Sequence, residues 1–354
     1  MNKKIATTLL TLFCFTAINS DSFAQDLLLQ EHNFPGVNLP ELAQLIASKS
    51  QQDMTIPATG DYVAGDQTTR ILDEFHTKIY SRVKDQRVLN IGIGLGFADA
   101  IMLLTPMKQL DAIEISKPAC RATIRFIKSF QHLWPRTDVS YREDKRFNLT
   151  NKDILNADLA LPSMKYDTVV CLNVSHLMKP SQFNAMLVKI LPSLKDDDSR
   201  LFLRVGMPTL PPDFRDAYKK GIAKGLPYPG CLCTKTDAIC KKRDIFKPEA
   251  IKQIHNFQYV DETYEHFNPD RIMTSTATTG DTITITKYVS TFFISSSEMS
   301  GMLDRAGFAV VEMYTDTPDQ ERLESSLITP EILERYFEDG LVLDVIAKRK
   351  TTHA

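Results

Sequence analysis

The sequence predicts an α/β fold, a mostly parallel sheet with helices on both faces. Three observations carry that prediction. Between residues 87 and 205, short apolar runs alternate with amphipathic stretches, the pattern of strand–helix–strand crossovers. The first of those runs ends in a cluster of glycines at 92, 94 and 96. After residue 288 the alternation resumes and closes on two further strand-like runs. Composition agrees. Over 354 residues, 43% are hydrophobic and 24% charged, the balance of an ordinary globular chain and not of a disordered, collagen-like or disulfide-scaffold one. At roughly 150 residues per domain the length implies one elaborated domain or two small ones. The net charge of −2 provides no global basic field for nucleic acid.

The amino terminus reads as a signal peptide over 1–24. Lys3 and Lys4 precede an apolar run from Ile5 to Ile18, and Ser22 and Ala24 place small residues before a cut at Gln25. The run is shorter than the roughly 20 apolar residues that span a bilayer. The alternative is a buried or amphipathic first helix and a cytoplasmic protein. Residues 25–84 read as a helical extension, with a short helix from Leu39 to Ala47, a loop at Ile56–Gly60, and a helix capped by Asp66 that runs through Ile71, Phe75, Ile79 and Val83. Residues 85–354 form the main domain. Its expected strands are Val88–Ile91, Leu110–Glu114, Asn148–Asp153, Tyr166–Leu172, Arg200–Val205, Val310–Tyr314 and Leu341–Ile346. Helices are expected over Phe97–Leu104, through Ile124, Ile127 and Phe130, and over 181–194 and 296–306, the last closed by Gly307. The stretch at about 207–287 breaks the rhythm and reads as an insertion or lid, with a hairpin from Thr274 to Thr286 around Gly280-Asp281.

The chemistry concentrates at Val88-Leu89-Asn90-Ile91-Gly92-Ile93-Gly94-Leu95-Gly96-Phe97. Glycines between a strand and a helix let the backbone take positive φ and approach a ligand. A dinucleotide fingerprint is G-x-G-x-x-G. Here the third glycine comes one residue early, which favours a single adenosyl ligand over a pyrophosphate. Glu114, ending the second strand, is a candidate acceptor for both ribose hydroxyls, its bland reading being a surface acid. Asp153, with Asp158 as competitor, is a candidate partner for an adenine amino group, with Ile154 against the ring.

These residues resemble the class I S-adenosylmethionine-dependent methyltransferases over roughly 85–205 and 288–350. The carriers are the G-x-G-x-G turn, Glu114, the strand Tyr166–Cys171, and Ser297–Phe308, a helix ending in Ala-Gly-Phe. The resemblance implies a Rossmann-like seven-stranded sheet with an antiparallel final strand, S-adenosyl-L-methionine as cofactor, and Asn90, Gly92, Gly94, Gly96, Glu114, Asp153, Ile154 and Asn173 as its binding residues. Two departures stand out: Asn90, where the family often has an acid, and Asp196-Asp197-Asp198-Ser199, where it often has Gly-Gly. The family's fold puts the end of the fourth strand, Asn173-Val174-Ser175-His176, before the transferred methyl. Asn173 is then the candidate for positioning the acceptor and His176 the candidate base. The reading of His176 as a packed or capping residue is the stronger of the two. The Asn-Pro-Pro-aromatic pattern of enzymes methylating exocyclic or amide nitrogens is absent, since Asn268-Pro269-Asp270 lacks its second half.

In the insertion, Tyr228, Tyr259, Tyr264 and His266 are candidates to line an acceptor pocket, or to form the insertion's own small core. Cys231, Cys233 and Cys240 are expected to contribute a disulfide from Cys240 to one of the others; a zinc site with His255 is the lesser alternative, and no metal is expected. Cys120 and Cys171 read as buried apolar side chains. The expected activity is methyl transfer to a small molecule or a protein side chain. The alternative is an exported binding protein that keeps the fold without turnover. Export raises the second reading, because the cofactor is made in the cytosol. A destination where another cell supplies the cofactor would reconcile the two. No transmembrane segment is expected in the mature chain.

Overall fold

The computed structural model describes residues 74–94, 96–133, 145–206, 212–269, 272–316 and 342–350. The signal peptide, the helix at 39–47, the loop at 56–60 and the Asp66 cap lie outside the described residues. The first described element is helix α1 (Glu74–Val83). Then come β1 (Arg87–Ile91), α2 (Phe97–Met102), β2 (Gln109–Ile113), α3 (Lys117–Phe130), β3 (Phe147–Thr150), β4 (Thr168–Leu172), α4 (Pro180–Ile190) and β5 (Arg200–Gly206). A seven-stranded sheet is completed by α6 (Ser296–Arg305), β10 (Phe308–Asp316) and β11 (Val342–Arg349), in the order β10-β11-β5-β4-β1-β2-β3. The pairs among β1 to β5 are parallel, and β11 lies antiparallel to both β5 and β10. This is the Rossmann-like sheet with an antiparallel final strand that the sequence implies.

Strand periodicity of two sorts the core into two layers. Leu89, Ile91, Val169, Cys171, Leu201 and Leu203 face one way, onto Phe183, Met186, Leu187 and Ile190 of α4 and Met299, Met302 and Leu303 of α6. Val88, Leu110, Val170 and Phe202 face the other, onto Phe75, Ile79 and Val83 of α1, Ile101 of α2, and Phe126, Ile127 and Phe130 of α3. Both faces are covered, so the central strands read as unbroken apolar runs.

Between β5 and α6 stand α5 (Pro212–Ala223) and a second sheet, β6 (Cys231–Lys241), β7 (Lys252–Tyr259), β8 (Met273–Thr279) and β9 (Thr282–Phe292), ordered β7-β6-β9-β8 and wholly antiparallel. The hairpin around Gly280 is present. Strands β6 and β7 went unread in the sequence, because their polar, Lys- and Thr-rich runs lack an apolar face. The root of this sheet shares the main core, where Cys231, Cys233, Phe267, Phe292 and Ile294 join the α4–α6 layer.

The expected disulfide is corrected by this geometry. Cys231, Cys233 and Cys240 all lie on β6, and all three thiols are free and buried. At about 3.3 Å per residue, Cys240 stands more than about 20 Å along the strand from either partner, against the roughly 4–7 Å between Cα atoms that a disulfide needs. His255 pairs with Thr236, midway along β6, so the same extension separates a zinc set. Cys120 and Cys171 are buried as expected, and burial pushes the Cys171 thiol up to about 12.

One ion pair ties the last strand to the sheet. Arg204 on β5 donates from Nε and Nη2 to both carboxylate oxygens of Asp344 on β11, at 2.6 and 2.7 Å. Both side chains are 1% exposed, and the guanidinium also lies over the Phe75 ring. Breaking such a pair leaves a buried charge unanswered, at a cost of about 3–5 kcal/mol. Asp344→Ala is therefore expected to lose about that much stability in urea unfolding, while Arg204→Met with Asp344→Leu recovers most of the loss. Equal loss in the single and double variants would contradict the assignment.

Candidate functional site

In a parallel sheet, ligands bind at the carboxyl ends of strands where the chain order reverses. Here β1 leads outward to β2 and β3, and the chain then crosses back to β4 on the other side of β1. The reversal lies between β1 and β4, where the glycine turn and Asn173 end their strands.

Gly92, Gly94 and Gly96 all take left-handed backbone, with φ of 69°, 56° and 75°. A Cβ on Gly92 would stand 2.3 Å from Val174 Cγ2, and one on Gly96 2.4 Å from Thr123 Cγ2. Both conformation and space therefore demand glycine at these two positions. Three elements hold the turn. Glu114, one residue past β2, accepts from Gly94 N through Oε2 (3.0 Å) and from Ser116 N through Oε1 (2.7 Å). Thr123 of α3 donates to Gly94 O (3.2 Å), and Val174 after β4 packs on Gly92. Glu114 is 6% exposed, and burial raises its pKa despite the two N–H donors. Each of its oxygens keeps a second acceptor position. Ile115 beside it is 65% exposed.

The loop after β3 is anchored to the same place, since Asn151 Nδ2 donates to the carbonyls of Glu114 (2.8 Å) and Ile115 (2.9 Å). β3 ends at Thr150, short of the expected strand, so Asp153 lies in the loop. Its Oδ1 accepts from Leu155 N (2.8 Å), a local turn. Ile154 is 3% exposed, within the α4-side core. Asp158 is exposed.

Asn173 takes φ of 56°, a left-handed non-glycine residue at the end of β4, and its N–H is committed to Arg204 O (2.8 Å). Asparagine is among the few side chains that tolerate this region. His176 follows in a 3₁₀ turn, Ser175–Leu177. Burial pushes its pKa down to about 4, so the imidazole is neutral at physiological pH. Tyr228 is bonded to Asn184 Nδ2 (3.2 Å) and packs edge-on against Phe292. His266 is stacked on Tyr288 at 4.0 Å, with Tyr264 edge-on to it. Of the four insertion candidates, Tyr259 has its side chain outside the described residues.

The structure thus joins the glycines and Glu114 through a direct hydrogen bond and sets Asn173 at the neighbouring strand end. The sequence reading missed Thr123, Val174 and Asn151, which hold the turn, and Asp99. Asp99, in the first turn of α2, is fully buried and accepts from Asn90 Nδ2 at 3.1 Å. A helix N-terminus favours a carboxylate by only about 0.3–1 kcal/mol, whereas full burial shifts a carboxyl by up to about 3–5 pKa units. Burial wins, and the Asp99 pKa rises to about 7. The one sequence signal was an acid three residues after Gly96, within a run otherwise apolar.

No protein-family model matches the chain, and no curated protein matches it. Among solved structures it is similar to an S-adenosylmethionine-dependent methyltransferase from Mesorhizobium loti, with 11% identity, 76% of this chain and 93% of the other covered, and a TM-score of 0.42. A second, from Clostridium acetobutylicum, has 9% identity, 78% and 90% coverage, and a TM-score of 0.43. A third, the glycopeptide N-methyltransferase MtfA complexed with sinefungin, has 12% identity, 77% and 91% coverage, and a TM-score of 0.38. The antiparallel β11 beside β5 is the final strand that the resemblance in the sequence implies.

Two outcomes are expected. Gly92→Ala should destabilise the protein by about 1–3 kcal/mol, from left-handed strain and the Val174 overlap. Adding Val174→Ala should restore only the overlap part, as read by urea unfolding. For Asp99, the folded state holds the proton to about pH 7, whereas an unfolded aspartate releases it near about 4. The folded state therefore binds more protons in that window, and stability falls as pH rises through it. Asp99→Asn should melt higher than wild type, by a margin that grows from about pH 5 to about pH 8. A constant margin would contradict this.

Proposed function

We propose that the protein transfers a methyl group from S-adenosyl-L-methionine to a small molecule or a protein side chain. The observation that carries this reading is the bond from Gly94 N to Glu114 Oε2 at 3.0 Å, which sets a buried carboxylate against a left-handed glycine turn at the sheet's reversal point. The chemistry of that set fits an adenosyl group. A carboxylate with spare acceptor positions suits two ribose hydroxyls, and exposed Ile115 offers an apolar surface beside it. Asp153 on the tethered β3 loop is assigned to the adenine edge, with Ile154 packed beneath. Asn90 and the three glycines face the amino-acid end.

The cofactor, when bound, supplies an electrophilic methyl on a sulfonium; the protein's part is alignment and exclusion of water. Asn173, fixed by its backbone bond to Arg204, positions the acceptor. His176, with a pKa near 4, is a weak base. An acceptor that needs little help losing a proton, such as a carboxylate or another group already nucleophilic near neutrality, suits such a site. Tyr264, His266 and Tyr288 of the insertion stand as the acceptor's aromatic surroundings. Residues 1–24 direct export to the periplasm or beyond the cell. No described helix is long and apolar enough to cross a membrane.

Calorimetric titration of S-adenosylmethionine and S-adenosylhomocysteine tests the reading. Micromolar binding is expected, and Glu114→Ala should weaken it by roughly 5- to 150-fold, the equivalent of about 1–3 kcal/mol. A folded protein that binds neither ligand would overturn the proposal. Binding without product from any acceptor would favour the non-catalytic binding protein. Where an acceptor is found, His176→Asn should leave the pH profile without a change near about 6.5.

A further inference from the structure

Among the described residues, no hydrogen bond or ion pair joins the buried Asp99 to a cation. Its Oδ1 accepts from Asn90, a neutral amide, and its Oδ2 is buried with no hydrogen-bond partner among the described residues. Among the described residues, the elements packed around it bring no Lys or Arg into hydrogen-bond contact with its carboxylate. At the end of β2 the facing group is Glu114, whose charge bears on Asp99 with the same sign. From α3 the inward side chains are Cys120, Thr123, Phe126, Ile127 and Phe130, while its lysines and arginines are exposed. From α1 they include Tyr80 and His76, the latter against Arg204 Nη1 at 3.4 Å. From β4 the neighbour of Asn90 is Val170. Two acids thus stand behind one glycine turn, and in a medium of low dielectric such charges act over many ångströms.

We propose that Asp99 is a specificity-determining residue, its carboxylate supplying from behind the glycine turn the negative charge that makes the site prefer the sulfonium S-adenosylmethionine over its neutral-sulfur product S-adenosylhomocysteine. The inference rests on the adenosyl reading above. The two ligands share the ribose, the adenine, the ammonium and the carboxylate, and differ by one methyl and one positive charge at sulfur. A cation in the turn favours the ionised form of Asp99, and the ionised form favours the cation, by the same factor. Loss of the methyl removes that charge, so the preference also favours release of the product. Asn90 is the positioning residue, since its Nδ2 holds Asp99 Oδ1 towards β1.

The test is the affinity of both ligands, by calorimetry, at about pH 6, 7 and 8, for wild type and Asp99→Asn. Asparagine keeps the size of the side chain and an acceptor for Asn90. With an ionisation near pH 7, the ratio of S-adenosylmethionine to S-adenosylhomocysteine affinity in wild type, divided by the same ratio in Asp99→Asn, should rise about 3- to 10-fold across that range. The sulfonium acidifies the neighbouring ammonium of S-adenosylmethionine, so the two ligands titrate differently; the division removes that difference, which both proteins meet alike. At about pH 8 the ratio should be lower in Asp99→Asn than in wild type. A quotient that stays flat with pH overturns the assignment. Binding of neither ligand at any pH overturns both readings together, whereas binding of both with a pH-independent quotient overturns this one alone.

Discussion

Gly92, Gly94 and Gly96 take left-handed backbone, which suits residues that lack a Cβ. Left-handed backbone costs an ordinary side chain about 1–2 kcal/mol at each position, and two of the three glycines also stand where a Cβ would overlap a neighbour. The neighbours are Val174 at the end of β4 and Thr123 on α3, so the turn is the point at which β1, β4 and the first helices are brought to their spacing. Glu114 closes it from the β2 side through Gly94 N. Side chains from three elements converge on Gly92, Gly94 and Gly96, which locates the carboxyl edge of the sheet and the site together.

The molecule treats its buried charges in two ways. Arg204 and Asp344 meet in a two-pronged ion pair, 1% exposed, that fixes the antiparallel β11 against β5. Each charge there compensates the other, and the pair serves the register of the last strands. Asp99 and Glu114 are also buried, yet among the described residues their hydrogen-bond partners are a side-chain amide and backbone N–H groups. Their desolvation is offset in part and the carboxyl pKa values rise. Perturbed carboxyls gathered at one strand edge are a common mark of functional sites. The contrast between a satisfied pair deep in the sheet and unanswered acids behind the turn separates scaffold from site.

Much of the fold was legible in the sequence, because buried parallel strands are unbroken apolar runs and glycines punctuate their ends. Val88–Ile91, Leu110–Glu114 and Arg200–Val205 fall within a residue of the observed strands. The third strand was read too long, since Asn151 to Asp153 are polar loop residues whose role is to tie that loop to Glu114. The insertion was least legible: β6 and β7 carry Lys, Thr, Asp and His on both faces, and no period marks them. The same blindness produced the expected disulfide, since cysteines nine residues apart look bridgeable until β6 is known to be one extended strand. At the site, the glycines and Glu114 were legible from their type and place. Thr123, Val174, Asn151 and Asp99 were not, because their importance lies in what they touch across the fold and not in any local pattern.

The central claim is that the glycine turn and Glu114 form one adenosyl site at the reversal between β1 and β4. A crystal structure of the protein grown with S-adenosylhomocysteine tests it most directly. The account predicts the ribose hydroxyls on Glu114, the adenine against Ile115 and the β3 loop, and the amino-acid end over Gly92 and Gly94. A ligand bound elsewhere, or one in this crevice whose ribose leaves Glu114 bonded only to Gly94 and Ser116, would contradict it.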